Sequence, residues 1–198
     1  MKATFYERIG AYLIDLIIIS IIASIITSVV PSKNTSISTD ISNLTNSYAS
    51  NEISSSDYLE KYQNLLYENT KDNMNENIVS LVITIAYYIV FAYLNKGKTI
   101  GKLALNLKVV DVDTEKETGL INFIIRGIIP FGILTSTVSL ITINVLNKKT
   151  YLSINNTLSV IETLFIIATL ISIIVRKDNR GLHDLMAKTK VIKQERRW

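Results

Sequence analysis

Four nearly uninterrupted apolar stretches alternate with polar ones along this chain, at residues 9–30, 78–94, 121–146 and 154–175. A helix crosses the hydrocarbon core of a bilayer with about 20 apolar residues. Each stretch therefore predicts a membrane-spanning helix, the second being the shortest. The first does not read as a signal peptide, whose apolar core is only about 7–15 residues long and precedes a small-residue cleavage site that is missing here. The third contains Arg126 and Pro130, and the proline removes a backbone donor, which predicts a kink.

The polar stretches carry weaker patterns. Residues 31–77 form a polar insertion that opens Ser/Thr/Asn-rich, with little to pack, and is expected to be mobile there. Its second half changes character. Tyr58, Leu59, Tyr62, Leu65 and Leu66 fall at helical spacing behind Asp57 and Glu60, predicting a short amphipathic helix over 57–70. That helix either covers the bundle or gates or docks something. Residues 105–112 alternate, as do those near 189–193. A lone strand leaves its backbone groups unsatisfied, so 108–112 is predicted to pair with 189–193 as a small β-element.

Charge sets the expected orientation. With four crossings starting inside, 16 of the 21 Lys and Arg fall on the inner side. Basic loops stay cytoplasmic, so both termini are expected in the cytoplasm and 31–77 outside. The wealth of Ile, Asn and Lys points to a low-GC bacterium. The chain has no Cys and one His, His183, which leaves no ligand set for a thiolate or histidine metal centre. No cofactor is expected. The stretch 97–103, GKTIGKL, has the wrong spacing for a phosphate-binding loop and Leu103 where Ser or Thr is needed. No nucleophile–base set and no nucleic-acid motif is present, so neither enzyme activity nor a nucleic-acid partner is expected. The basic C-terminus suits anionic lipid headgroups.

The charges inside the apolar stretches carry the chemistry. Asp15 lies in the first span, and a carboxylate in hydrocarbon needs a partner, a proton or water. Arg8 and Tyr12 share its helical stripe, Arg8 about 10.5 Å away. Arg126 sits at a matching depth in the third span, so an Asp15–Arg126 pair is expected, with Arg8 reaching the same place. Such a pair either locks the bundle or leaves Asp15 to bind a cation or pass a proton. Glu162 is the second intramembrane acid. It belongs to a polar stripe of Asn155, Ser159, Glu162, Thr169, Ser172 and Arg176. With Ser80, Thr84, Tyr87 and Tyr88 on the second span, and Thr135, Ser139 and Thr142 on the third, this stripe predicts a polar interior.

Arg8 and Asp15 in the first span, Thr99-Ile100-Gly101-Lys102 after the second, and Arg180-Gly181-Leu182-His183-Asp184-Leu185-Met186-Ala187-Lys188-Thr189 near the end together resemble the RDD family of bacterial membrane proteins. The segment 105–130, with Arg126, is similar to the family's middle. The resemblance implies that Arg8 and Asp15 are the first two of the residues that name the family. It leaves Asp184 or Asp178 as the third and does not cover Glu162. It also implies a multi-pass membrane protein, with transport often suggested and sodium/proton exchange associated with some members.

The expected fold is thus an all-α membrane protein, a single domain of four transmembrane helices with a cytoplasmic β-element and an extracellular amphipathic helix, in a bacterial cell membrane. One expected function is a small-cation or proton-coupled transporter. Asp15 and Glu162 would handle the ion, and Arg8, Lys102, Arg126, Arg180, His183 and Asp184 would form a cytoplasmic charge network. The other is a non-transporting membrane scaffold or accessory subunit that docks a partner. The expected partners are the lipid bilayer and further copies of the chain or another membrane protein.

Overall fold

A computed structural model of the chain describes residues 1–31 and 37–194. Lys33 and the basic residues at 196–197, for which outer and headgroup positions were expected, lie outside the described residues.

Three helices are long and apolar enough to cross a membrane: α1 (Phe5–Thr27), the rod Met74–Leu94, and α9 (Lys148–Val175). Their apolar side chains face outward rather than into a core; Ile17, Ile21 and Ile25 on α1 and Ile161, Leu164 and Ile174 on α9 are all more than half exposed. Such a belt is unfavourable against water and suits lipid. The ends of α1 and α9 are set by side chains. Thr4 accepts from the Glu7 amide while the Glu7 carboxylate accepts from the Thr4 amide, and Asn147 accepts from the Thr150 amide. The Asn147 cap starts α9 six residues earlier than the apolar pattern implies.

The rod Met74–Leu94 comprises α4 (Met74–Ile85), a π-helical turn (Ala86–Phe91) and α5 (Ala92–Leu94). The wide turn holds the consecutive Tyr87 and Tyr88, both buried.

The third apolar stretch is not one helix. It divides into α7 (Leu120–Gly127) and α8 (Ile133–Thr142). Pro130 brings no N–H to this stretch, and Gly132 takes a left-handed φ of 65°, so the axis breaks where only a kink was expected. The Leu134 amide donates back to the Ile128 carbonyl across the break.

The polar insertion is more ordered than its composition suggests. Residues 37–49, expected to be mobile, form α2 (Ile37–Ala49), which packs on α3 (Ser55–Asp72). Ile37, Ile41, Leu44 and Tyr48 give α2 an apolar stripe among its hydroxyls and amides. The Tyr48 ring of α2 tilts against Tyr58 of α3, which stacks on Tyr62. α3 begins at Ser54, which caps the Asp57 amide, and its Tyr67 packs edge-on against Tyr151 of α9.

At the opposite end of the bundle, α6 (Ile100–Ala104) leads into β1 (Leu107–Asp111), and α10 (Leu182–Met186) into β2 (Thr189–Lys193). The strands pair antiparallel, Leu107 opposite Lys193 and Asp111 opposite Thr189. A third segment joins them unannounced by any pattern, as Lys2 bridges Ile192. Ala3, Leu107, Val109 and Val191 meet Ala11, Ala92 and Phe123 in one buried cluster. The main apolar core therefore sits under the β pair.

Candidate functional site

Asp15 is buried in that core end, and its partner is not Arg126. Oδ1 accepts from the Tyr87 hydroxyl at 2.5 Å and the Gly101 amide at 2.7 Å. Oδ2 accepts from the Thr99 hydroxyl at 2.5 Å, with the Lys102 ammonium 3.9 Å away. The reason is local. Thr99 caps α6, the following amides point out of that helix start, and a carboxylate suits the donors there. Gly101 is required by proximity, since a Cβ on it would lie 2.0 Å from the Ala11 carbonyl. The Thr-x-Gly-Lys stretch is thus the seat of Asp15. Burial, and then the nearby Arg126 charge, push the Lys102 ammonium down to about 8.

Arg126 instead pairs with Asp184, as does Arg8 from the other side. Arg8 also donates to the Asn179 carbonyl. The Asp184 carboxylate takes two further donors, the Gly181 amide at 3.1 Å and the Thr189 hydroxyl at 3.3 Å. Arg180 ties the same corner through the Thr189 and Asp184 carbonyls. Burial alone would raise the Asp184 carboxyl, but Arg126 and Arg8 outweigh it and hold it well below the ordinary carboxylate range. His183 stands beside this cluster, its Nε2 3.4 Å from Arg8, and burial pushes it down to about 3. The matching depths of Asp15 and Arg126 thus misidentified the pair; α10 brings in a second acid, and Asp184 sits between the two arginines. Asp178 lies apart, in a two-pronged pair with Arg176 at 2.9 Å.

Two of the bundle's cavities bear on these residues. The one nearer the β pair, about 210 Å³, is lined by Arg8, Asp15, Lys102, Arg126 and His183 together with apolar side chains of α1 and α9. The one nearer the α2–α3 hairpin, about 280 Å³, is lined by Ser80, Thr84, Thr135, Ser139 and Asn155 among others. The expected polar interior is therefore present in part. Tyr87 has turned away to Asp15, and Ser159 is exposed. Phe131, in the break between α7 and α8, lines both cavities and stacks on Tyr88 with ring centroids 3.7 Å apart.

Glu162 is half-buried on α9 and accepts from the Thr135 hydroxyl. Its other oxygen would be 3.4 Å from a Cβ placed on Gly132. The carboxylate thus lies at the start of α8, where the unpaired amides of a helix favour negative charge. Thr135 belongs to the wall of the cavity nearer the α2–α3 hairpin, so Glu162 is one side chain removed from it.

Sequence reasoning missed Tyr87, Thr99 and Gly101 as donors to Asp15, and Phe131 as the residue shared by both cavities. A π-turn leaves no periodic signature, and only the Thr-x-Gly-Lys spacing hinted at a capped helix start.

No curated protein and no protein of solved structure matches this chain. A model described as the RDD family matches residues 2–188, nearly its full length, and the chain belongs to that family.

Proposed function

We propose, taking membership of the RDD family as the premise, that this protein is a proton-coupled or small-cation transporter. In this reading the chain crosses a bacterial cell membrane four times, α7 and α8 together making the third crossing, with both termini cytoplasmic. It acts as an oligomer, since so small a bundle encloses little pathway alone. The observation that carries the reading is Phe131. It lines a hydroxyl-walled cavity on one side and a charged one on the other, from within an interrupted helix. Interrupted helices are where transporters place irregular backbone against a solvated cavity. Glu162 is the proton- or cation-handling acid of this scheme, because it has acceptor capacity left over beside Thr135. Asp15 already accepts three hydrogen bonds and faces the Lys102 ammonium, and it holds α6 in place.

Ion-driven pH changes in proteoliposomes test this. The parent should move protons on an imposed sodium or potassium gradient, and Glu162→Gln should abolish that movement with its melting temperature kept. A parent that moves no ions removes the transport reading. One feature favours the alternative, a scaffold or accessory subunit without enzyme activity: Asp15 and Asp184 are wholly occupied as structural braces. Purification of one stoichiometric membrane partner with an inert parent would establish it.

A further inference from the structure

Among the described residues, four buried side-chain polar atoms have no hydrogen-bond partner: Tyr88 Oη, Thr118 Oγ1, Thr169 Oγ1 and His183 Nδ1. Three of the four belong to residues lining the cavity of about 210 Å³ near the β pair. An unmet buried polar group costs about 1–3 kcal/mol, so three around one space imply an occupant that meets them.

The chemistry of that occupant follows from the hydrogen-bond roles. Arg8 can only donate, so its approach to His183 Nε2 makes that nitrogen the acceptor and leaves the proton on Nδ1. Nδ1 is therefore a donor lacking an acceptor. The hydroxyls of Tyr88 and Thr169 have no partner either and can each donate to an incoming acceptor. Lys102 spends one N–H on Thr99 at 3.1 Å and faces Asp15 at 3.9 Å, leaving a third. The one carboxylate in the wall, Asp15, already accepts from three hydrogen-bond donors. The cavity thus presents the Lys102 and His183 N–H donors and two free hydroxyls able to donate, with three cationic side chains, Arg8, Lys102 and Arg126, set against two carboxylates, Asp15 in the wall and Asp184 behind the arginines. That asymmetry selects an anion.

The rest of the wall selects a tail. Phe5 and Ile9 of α1 face Ile166, Leu170 and Ile173 of α9. These two helices make little direct contact, so the cavity fills the gap between the first and last spans. Tyr12 and Leu170 line it and are exposed, which opens it to the apolar belt. Water needs two to four polar partners and finds them at the charged end alone.

We infer that the cavity between α1 and α9 binds an anionic amphiphile, its carboxylate or phosphate held by Lys102, His183, Tyr88 and Thr169 and its chain leaving between the two helices. This holds whether or not the protein moves ions.

The test uses the full chain in a nonionic detergent. Phosphatidylglycerol, oleate, phosphatidylcholine and inorganic phosphate are titrated in turn. Affinity is read from the rise in melting temperature, and stoichiometry from native mass spectrometry. One phosphatidylglycerol or oleate should bind per chain, at least tenfold more tightly than phosphatidylcholine or inorganic phosphate. The tighter of the two distinguishes a bilayer lipid from a free fatty acid. Thr169→Val and Tyr88→Phe remove hydroxyls that have no partner in the unliganded chain. Each should leave the unliganded melting temperature the same or higher and weaken binding roughly tenfold, as expected for one hydrogen bond to an anion. Equal binding of phosphatidylcholine, equal binding of inorganic phosphate, or parental affinity in both variants would overturn the assignment.

Discussion

Asp15→Asn separates a brace from a working acid. The substitution keeps the size and one carbonyl oxygen, and puts an NH2 where four donors now converge. The Tyr87 hydroxyl and Gly101 amide share Oδ1; the Thr99 hydroxyl and Lys102 ammonium share the other side. With the NH2 on the Oδ1 side the Tyr87 hydroxyl and the Gly101 amide lose their acceptor, on the Oδ2 side the Thr99 hydroxyl does, and either way the lysine loses its counter-charge. Hydrogen bonds to a charged group contribute about 1.5–3 kcal/mol each. The Thr99 hydroxyl can rotate to accept from the new NH2, so the lower part of the range applies, about 3–4 kcal/mol in total. For a chain of this length that corresponds to a fall in melting temperature of about 10 °C. Thermal unfolding of the detergent-purified protein, followed by far-ultraviolet circular dichroism, measures it. A melting temperature within a degree of the parent would refute the brace and return Asp15 to the list of ion-handling acids.

Gly101→Ala should be at least as damaging, since its Cβ would lie 2.0 Å from backbone at Ala11, and overpacking of that kind costs about 3 kcal/mol or more. Gly119→Ala, which meets Asn122 at an ordinary 3.4 Å, should change stability by less than about 0.5 kcal/mol. His183 makes stability depend on pH. Its folded value is about 3 against an ordinary 6.5. The unfolded chain therefore takes up the proton first, and stability is complete above 6.5 and declines as pH falls through the window down to 3. The slope is at most about 1.4 kcal/mol per pH unit. Between pH 6.5 and 5, above the ordinary range of Glu115 and Asp178, the parent should lose about 2 kcal/mol more than His183→Gln. Parallel melting curves for the two proteins would exclude that role. The chain has no cysteine, so Ser56→Cys on the hairpin and Asp113→Cys beyond β1, both exposed, report sidedness singly. An impermeant maleimide on intact cells should label the first alone; labelling of the second alone would invert the proposed orientation.

What the sequence disclosed of the fold followed the strength of the periodic signal. Unbroken apolar runs located α1, the Met74–Leu94 rod and α9, and alternation located both strands to within a residue. The misses lie where period fails. In α2 a four-residue apolar stripe is outnumbered by Ser, Thr and Asn, whose average reads as loop. In the 121–146 stretch hydropathy is continuous while Gly127, Pro130 and Gly132 break the backbone. Hydropathy reports solvent preference, and the hydrogen-bonding path of the chain is a separate property.

The charged residues show the same division more sharply. The requirement that a buried carboxylate have partners is a statement about solvation, and Asp15 obeys it. Which partners it takes depends on chain direction at the helix starts. Thr99, Gly101 and Lys102 present hydroxyl, amide and ammonium at the head of α6, and Asp184 arrives on α10 between Arg8 and Arg126. Two acids and three bases thus sort into two sites. Depth along the first and third spans could match Asp15 with Arg126 but could not see that a short helix near the chain's end brings a better-placed acid. Glu162 differs from both. Its partner is one hydroxyl, no counter-charge lies within salt-bridge distance among the described residues, and it faces the start of a broken helix. A carboxylate held by one neutral hydroxyl gives up fewer contacts on substitution than one clamped by two guanidinium groups. Of the three, Glu162 is the acid whose removal should leave the fold standing, and hence the one whose substitution speaks to function.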